Sequence, residues 1–303
     1  MNILLCYDDM TWDYTRHAAV TILSLLATNK WDEIKIFIMT SFLKQENIDE
    51  LKRIVGLYNQ EIEFIIEDNI IPEDIKKAII KKNSKQLLTL GARYYFFFPK
   101  YIEWIDRILY LDCDIIVMKD ISDIYNMNMH WKTIVWYYDR FNLYSRRKKA
   151  FWMKNYINSW VLLFDVKKYN SNKINAKKIE ELEVKYWKYD SGQDEEKVNL
   201  IFRNEIFVWK RWMNYQISNK FFNKWISDAE IVHCMQKPYI QYSWIPQKFV
   251  KIYYDYLSLT KWKWFPERKA GYWYVHHMCN CIRHFTENLL LRIIAQIEWD
   301  NYY

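Results

Sequence analysis

The sequence is short of glycine. Only four glycines occur among its 303 residues, where an average composition would supply roughly 21. Proline is scarce as well, with five copies. Collagen-like chains and flexible linkers depend on these two residues, so both classes are excluded. The hydrophobic fraction of 51% is instead typical of a chain that folds around a core.

The sequence also lacks an apolar run long enough to cross a membrane. A spanning helix needs about 18 consecutive apolar residues, and no stretch approaches that length. No basic segment precedes the first apolar residues, so we expect no secretory signal. Five cysteines in a chain of 303 residues are an odd number, which indicates a reducing compartment and not a disulfide framework. They are Cys6, Cys113, Cys234, Cys279 and Cys281. We therefore expect a cytoplasmic protein with reduced thiols.

Charge of one sign is present only in modest excess. The 44 lysines and arginines outnumber the 37 acids and give a formal net charge of +7. This balance suits a nucleoside diphosphate, an anionic membrane surface or a nucleic acid. A nucleic-acid binder that stacks bases on aromatic side chains is one alternative. Because acids are interleaved with the basic residues and no Lys/Arg stripe is present, we expect no nucleic-acid partner.

Strands and helices alternate in the first third of the chain. Apolar residues at helical spacing predict helices over residues 15–26 and 44–58, and Pro72 begins another helix. Short apolar runs predict strands over residues 3–7, 34–39 and 61–66. This order is typical of a parallel α/β sheet with helices on its faces.

The same patterns continue to the end of the chain. Further helices are predicted over residues 86–97, 194–202, 249–257 and 286–299. Further strands are predicted over residues 107–111, 115–117, 133–137, 157–164 and 231–233. Since neither a repeat nor a linker is present, the sequence predicts one α/β domain with a C-terminal helical extension.

Two carboxylates follow the apolar segment that ends at Leu111. Asp112 and Asp114 are two residues apart and, in an extended chain, project to the same side with about 6.6 Å between their Cα atoms. Ligands of open α/β sheets bind where such strands end. Mn²⁺ or Mg²⁺ prefers oxygen ligands of this kind and commonly bridges them to phosphates. The spacing alone leaves two interpretations open, a metal site and a pair of solvated loop acids.

The surroundings of these acids resemble a known enzyme family. The segment Arg107-Ile-Leu-Tyr-Leu-Asp-Cys-Asp-Ile-Ile-Val is similar to the metal-binding signature of family 8 glycosyltransferases. The resemblance extends from Asn2 to about Trp262 and implies the GT-A fold, a Rossmann-like mixed sheet flanked by helices. It implies a catalytic domain over residues 1–262, with a nucleotide-binding half to about residue 120 and an acceptor-facing half over residues 121–262. Residues 263–303 would then form a helical tail.

The resemblance also implies a donor site and a metal site. Its nucleotide-binding residues fall on Asp8, Asp9, Arg93, Asp112 and Lys237. Its ligands for Mn²⁺ or Mg²⁺ fall on Asp112, Asp114 and His233. A lone histidine after a short strand is otherwise an ordinary core residue, and Arg93 and Lys237 would otherwise be solvated charges. The agreement in order and spacing over some 230 residues favours the site.

The catalytic residues implied by the resemblance lie in the second half of the chain. They are Asp194, Gln193, Asn158 and Asp139. The family's Asp-Gln-Asp motif begins here with Gly192 in place of its leading Asp. Two extra residues also separate Asp194 from Val198-Asn199, so Glu196 is an alternative to Asp194 as the acid beside the anomeric carbon.

The activity that the resemblance implies is a retaining sugar transfer. The expected donor is UDP-glucose or UDP-galactose, and the expected acceptor is a glycan, lipid-linked or protein-linked. The chain also departs from the family, because it lacks the leading Asp and has a shorter loop between His233 and Lys237. A sugar-nucleotide-binding protein that has lost transferase activity is therefore the alternative function.

The C-terminal tail carries a histidine and cysteine cluster over residues 276–284. Zinc sites usually separate paired ligands by two residues or more, which this cluster does not. A surface turn before the last helix is the competing interpretation. The basic, aromatic-rich helix that follows predicts peripheral contact with the inner face of the membrane.

Tryptophan is as abundant as glycine is rare. Sixteen copies occur, and Trp160 stands where the resembling motif has glycine. Trp136 and Trp152 also occupy positions where glycine would be natural. One hypothesis is that the source organism reads the opal codon as glycine, whereas this sequence translates it as tryptophan. The alternative is a protein that is genuinely rich in tryptophan.

Overall fold

The computed structural model shows a sheet flanked by helices, as the sequence predicts. It describes residues 1–9, 14–29, 33–73, 76–77, 91–139, 156–171, 194–216, 229–233, 240–241, 247–264 and 268–269. The strands are β1 Asn2–Cys6, β2 Lys35–Thr40, β3 Glu61–Ile66, β4 Arg107–Leu111, β5 Ile115–Val117, β6 Ile134–Asp139, β7 Val161–Asp165, β8 Ile206–Gln216, β9 Ile231–His233, β10 Ile240–Gln241 and β11 Arg268–Lys269. The α-helices are α1 Thr15–Thr28, α2 Gln45–Gly56, α3 Ser122–Asn126, α4 Val166–Ser171, α5 Asp194–Ile201 and α6 Gln247–Leu257.

Nine of these strands form one mixed sheet in the order β3-β2-β1-β4-β7-β6-β8-β9-β5. Strands β3, β2, β1 and β4 are mutually parallel. Strand β7 runs antiparallel to both β4 and β6. Because β1 and β4 are parallel neighbours, the residues that follow them meet at the same edge of the sheet, where open α/β sheets bind ligands.

The hydrophobic core lies on both faces of the sheet. One face packs against helices α1 and α2 through aliphatic residues such as Leu23, Leu51 and Ile54. The other face is rich in aromatic side chains, and Tyr95, Tyr110 and Phe164 stack there in tilted pairs. Burial of both faces explains why the central strands are apolar at consecutive positions.

Most predicted elements are confirmed within a few residues. Strands β3, β4, β5 and β9 have the predicted bounds. Helices α1, α2, α5 and α6 are also present, each shifted by at most two residues at either end. The predicted helix that begins at Pro72 is described only in part, and the predicted helix over residues 286–299 lies outside the described residues.

Two predictions differ from the structure, and strand β8 is among the elements that the sequence analysis does not predict. The described part of the predicted helix over 86–97 consists of 3₁₀-helices, Gly91–Phe96 and Phe98–Lys100. Three consecutive aromatic residues are buried there (Tyr94, Tyr95 and Phe96), which a one-sided α-helix would not achieve. The strand predicted over 157–164 begins only at Val161, and β8 is an additional strand of 11 residues.

No helix in the described part of the chain is both long and apolar enough to cross a membrane.

Candidate active site

Three metal-ligating side chains lie together beyond the end of strand β4. Asp112 and Asp114 follow β4, and His233 is the last residue of β9. The His233 Nε2 atom lies 2.8 Å from Asp114 Oδ1 and 3.6 Å from Asp112 Oδ2. One ligand atom from each residue lies within 4.8 Å of the other two. The structure therefore brings together the three residues that the sequence predicts as metal ligands.

Strand pairing brings His233 to the two acids, although 119 residues separate it from Asp114. Strand β5 runs antiparallel to β9, and its first residue, Ile115, pairs with His233. The backbone N–H of Asp112 donates to the Trp160 carbonyl oxygen at 3.0 Å. Backbone pairing thus brings these three residues together, and we call them the Asp-Asp-His cluster.

Polar residues of helix α1, and Asn29 directly after it, bond to the backbone from Cys113 to Ile121. The Thr21 hydroxyl lies 2.8 and 2.7 Å from the two carbonyl oxygens that flank Asp114 in the chain. The Ser24 hydroxyl accepts a hydrogen bond from the Val117 backbone N–H at 3.0 Å. Asn29 accepts another from the Ile121 backbone N–H at 2.8 Å. Buried polar groups of this kind need partners, and here the backbone on either side of Asp114 and along β5 provides them.

The electrostatics of the cluster favour the ionised form of Asp114. Burial by itself raises the pKa of Asp114, but the facing His233 ring outweighs it, and the pKa of Asp114 is lowered. The Tyr110 hydroxyl donates a hydrogen bond of 2.5 Å to Asp112 Oδ1. Two carboxyl groups beside an imidazole are suited to a divalent cation.

Trp160 packs directly against the cluster. Its ring centroid lies 4.2 Å from that of His233 at an interplanar angle of 34°, and only 7% of the residue is exposed. The side chain therefore covers a face of the histidine at a position where the sequence resemblance has glycine.

Asp8 and Asp9 at the end of β1 form a second acidic feature, which we call the acidic turn. Asp8 Oδ1 accepts hydrogen bonds from the Ser41 backbone N–H and hydroxyl at 3.0 and 2.7 Å. Asp8 Oδ2 accepts one from the Tyr94 hydroxyl at 2.6 Å. Burial and the Asp8 charge raise the pKa of Tyr94 far above its ordinary value, so its hydroxyl stays a donor.

Asp9 is held more deeply than Asp8. It is 5% exposed, and its carboxylate accepts hydrogen bonds from the Thr15 N–H at 3.2 Å and the Thr15 hydroxyl at 2.7 Å. The Asn47 side-chain amide donates to the same carboxylate at 2.5 Å. Asp9 thus satisfies a backbone donor at the beginning of α1, as a capping side chain does.

Gly91 permits the 3₁₀-helix to approach the acidic turn. A Cβ atom at this position would lie 2.7 Å from the Asp8 backbone nitrogen and 2.8 Å from the Tyr7 carbonyl carbon. Only glycine fits that contact, because real Cβ atoms do not approach backbone so closely. Two residues farther along, Arg93 is buried at 5% exposure, within the segment that the acidic turn contacts.

Asn158 lies in the segment that precedes β7, and helix α5 is fastened to that segment. The Asn199 side chain accepts from the Ile157 N–H at 2.8 Å and donates to the Ile157 carbonyl oxygen at 2.7 Å. Asn158 itself is 1% exposed. Because α5 begins at Asp194, these two hydrogen bonds fix the segment of Asn158 and the beginning of α5 relative to each other. Both segments are predicted to carry catalytic residues.

Two residues of α5 were missed by sequence reasoning. Asn199 is fully buried, and Glu195 is buried at 6% exposure. The spacing of four residues between them places both on one face of the helix, and that periodicity was the available signal. The structure describes the backbones of Asp139 and Asp194 but not their side chains, and Gln193 and Lys237 lie outside the described residues.

Two thiols lie beneath the cluster. Cys6 and Cys113 are buried and form no disulfide, and the Cys113 sulfur lies 3.7 Å from the Cys6 carbonyl oxygen. Burial raises the pKa of both thiols well above the ordinary value, and the negative charge of Asp112 raises it further. Both side chains therefore remain protonated and act as small apolar residues.

The family model described as "Glycosyl transferase family 8" matches residues 2–239 of the chain. The chain belongs to glycosyl transferase family 8. The match includes β1 with the acidic turn, β4 with Asp112 and Asp114 that follow it, and His233. Membership supports glycosyl transfer as the chemistry of the site.

Two curated relatives cover different shares of the chain. General stress protein A of Bacillus subtilis (strain 168) is 25% identical over 285 residues, which are 86% of this chain and 94% of that protein. Glycosyltransferase GlyE of Streptococcus pneumoniae serotype 4 is 24% identical over 205 residues, which are 67% of this chain and 46% of that protein.

Solved structures of glycosyltransferases share the fold of the present chain. The galactosyltransferase LgtC, in complex with donor and acceptor sugar analogues, aligns with a TM-score of 0.67 at 19% identity, covering 84% of this chain and 95% of that chain. Streptococcus pneumoniae GlyE aligns with a TM-score of 0.59 at 20% identity, covering 86% of this chain and 61% of that chain. The GT-A fold predicted from the sequence is confirmed.

Proposed function

We propose that this protein transfers glucose or galactose from its UDP-sugar to a glycan, lipid-linked or protein-linked acceptor, with retention of the anomeric configuration. One observation carries the proposal: the Asp-Asp-His cluster follows β4, the parallel neighbour of the strand that ends at the acidic turn. A metal site and a nucleotide site at one sheet edge are what a nucleoside-diphosphate sugar requires.

The donor set of the cluster fits a hard divalent cation. Two carboxylates and an imidazole are accepted by Mn²⁺, and Mg²⁺ takes the carboxylates. Asp112, Asp114 and His233 would hold this ion. When bound, it would supply positive charge to the diphosphate, on which negative charge grows as the sugar–phosphate bond breaks.

Basic and acidic side chains of the chain would complete the donor site. Asp8 would face the base, Asp9 would hold the turn, and Arg93 would lie near the ribose and sugar. Lys237 would donate to the diphosphate and stabilise its developing charge, a contribution commonly near 3 kcal/mol for a preorganised donor. The close contact of Gly91 with the acidic turn supports the placement of Arg93.

The sugar end of the site would be built from the second half of the chain. Asn158 and Asp139 would bind hydroxyls of the donor sugar, and Gln193 would lie beside them. Asp194 would stabilise positive charge at the anomeric carbon, with Glu196 as the alternative acid. The attachment of α5 to the Asn158 segment supports this arrangement.

The domain arrangement follows the same proposal. Residues 1–262 form the catalytic domain, with nucleotide binding before about residue 120 and acceptor binding from residue 121. The tail over residues 263–303 contacts the inner face of the membrane, which would bring the site to a lipid-linked acceptor. The protein would then be cytoplasmic and peripheral on that membrane.

The test is release of UDP from a panel of UDP-sugars, first with Mn²⁺ and then with EDTA. We expect slow release from UDP-glucose or UDP-galactose that EDTA abolishes. Release that is equally fast in EDTA would contradict the metal assignment. UDP binding without release from any sugar, even with acceptor extracts, would favour the alternative function, a sugar-nucleotide-binding protein without transferase activity.

A further inference from the structure

The chain that leaves helix α6 returns to helix α2 and is fastened there. The Arg53 guanidinium donates to the Leu259 carbonyl oxygen at 2.9 Å, and the Lys261 backbone N–H donates to Glu50 Oε1 at 2.8 Å. Arg53 and Glu50 also form a two-bond ion pair, with both bonds at 2.8 Å. These contacts join positions more than 200 residues apart in sequence.

Lys261 continues from this attachment toward the acidic turn. Its Nζ donates to the Asn47 side-chain oxygen, and the Asn47 nitrogen donates to Asp9 Oδ2 at 2.5 Å. Asn47 is 2% exposed and Asp9 is 5% exposed. The lysine thus fixes which way the amide points, because its oxygen faces the cation and its nitrogen faces the carboxylate.

Asp9 connects Asn47 to the beginning of helix α1. Its two oxygens bind the N–H and the hydroxyl of Thr15, the first residue of the helix. Six residues farther along, Thr21 holds the carbonyl groups on either side of Asp114. One chain of hydrogen bonds therefore runs from the segment after α6, through the acidic turn, to the helix beneath the Asp-Asp-His cluster.

We propose that Lys261 and Asn47 are positioning residues for the donor nucleotide, which act through Asp9 on the acidic turn. This inference rests on the proposed function, since it assigns the acidic turn to nucleotide binding. The segment after α6 then belongs to the donor site through this chain of hydrogen bonds. Asp9 is consequently a residue that holds the turn.

The chemistry of the contact explains why its loss would affect binding. Asn47→Leu keeps the volume of the side chain but leaves the buried Asp9 carboxylate with one donor fewer. A buried carboxylate that lacks a hydrogen-bond donor costs free energy, and exposure to water or protonation lowers that cost. We therefore expect the acidic turn to move toward solvent. Lys261→Met keeps the aliphatic stem and removes the charge that orients the amide, and its effect is expected to be smaller.

The experiment measures the Kd of UDP by calorimetry with Mn²⁺ present, and then KM and kcat for the donor sugar. For Asn47→Leu we expect Kd and KM to rise about tenfold, as the loss of a hydrogen bond to a charged group implies, while kcat stays within about twofold. Lys261→Met should raise Kd by roughly threefold on the same grounds.

Two control variants separate positioning from general loss of stability. Ile54→Val removes a methylene from the core on the same helix, where Ile54 is fully buried, and should lower the melting temperature without changing Kd. Lys251→Met breaks an exposed ion pair with Asp255 on α6 and should change neither quantity. If Ile54→Val raises Kd as much as Asn47→Leu does at matched loss of stability, the proposal is overturned.

Failure of this proposal and failure of the proposed function give different results. If the unaltered protein binds neither UDP nor Mn²⁺, both fall together. If it binds UDP and Asn47→Leu binds with the same Kd, only the positioning role is refuted.

Hydrogen exchange provides a second measurement that needs no nucleotide. The amides at the beginning of α1 should exchange faster in Asn47→Leu than in Ile54→Val, and equal rates would also overturn the proposal.

Discussion

Removal of either acid of the Asp-Asp-His cluster should lower turnover strongly while the fold persists. The loss of a preorganised electrostatic partner costs about 3–4 kcal/mol in the transition state, so Asp112→Ala or Asp114→Ala should lower kcat at least 100-fold. Stability should change far less. Both carboxyl side chains remain 25% exposed, and their replacement also removes repulsion between two like charges.

The assay combines turnover with metal-dependent melting. At a Mn²⁺ concentration about 100 times its Kd, a bound ion stabilises the native state by about 2.7 kcal/mol. The unaltered protein should therefore melt at a higher temperature with Mn²⁺, and both variants should lose this increase. Glu103→Gln, a change at an exposed acid away from the cluster, should leave turnover and the increase intact. Near-normal activity in both alanine variants would refute the metal assignment.

Three further predictions concern other parts of the site. Gly91→Ala should destabilise the protein by about 1–3 kcal/mol in urea unfolding, because its Cβ would overlap the backbone of the acidic turn; unchanged stability would contradict the contact. Since their pKa values are raised, Cys6 and Cys113 should resist iodoacetamide at pH 8 in the native protein and react in denaturant; peptide mass spectrometry measures both states. Asp194→Asn and Glu196→Gln should differ in kcat by about 100-fold or more, and the slower variant identifies the acid at the anomeric carbon.

The parts of the fold that the sequence predicts are those with a local signal. Strands β4, β5 and β9 are short apolar runs bounded by polar residues, and their observed bounds equal the predicted ones. Strand β8 lacks a clear boundary signal. Its sequence, Ile-Phe-Val-Trp-Lys-Arg-Trp-Met-Asn-Tyr-Gln, contains β-branched and aromatic residues that favour a strand, but two consecutive charges interrupt the apolar run. Its full length of 11 residues is set by pairing with β6 and β9.

The candidate site divides in the same way. The spacing of Asp112 and Asp114 leaves both a metal site and solvated loop acids open, and the family resemblance decides between them and adds His233. Their proximity depends on the antiparallel pairing of β5 with β9, which no local pattern encodes. Asn47 and Lys261 carry no motif at all. Asn47 contacts Asp9, and Lys261 contacts Asn47 only once the segment after α6 has packed on α2.

The tryptophan excess can now be judged from backbone geometry. Trp131 has a φ of 64° and follows His130 with a φ of 47°, and 89% of Trp131 is exposed. The left-handed conformation costs a residue with a side chain about 1–2 kcal/mol, whereas glycine adopts it freely. An exposed indole repays none of that cost through burial, so this position has the conformation of a glycine. Trp160 likewise stands at the glycine position of the sequence resemblance, with its ring against His233.

Both facts favour the hypothesis that some tryptophans represent glycine codons in the source organism. Trp131→Gly should then raise the free energy of unfolding by up to about 1 kcal/mol, because the backbone strain that it removes outweighs the exposed cation–π contact of the indole with Lys168. Trp104→Gly is the matched control: it removes an indole that is 62% exposed, at a position outside the positive-φ residues. That control should be neutral or destabilising, and equal gains in both variants would attribute the effect to the loss of an exposed aromatic side chain.

The intact mass of the protein from its native host decides whether tryptophan positions of this sequence are glycine there. A mass below that of the present sequence by whole multiples of the Trp–Gly difference confirms recoding, and an equal mass ends the hypothesis and leaves Trp160 as a true neighbour of the Asp-Asp-His cluster.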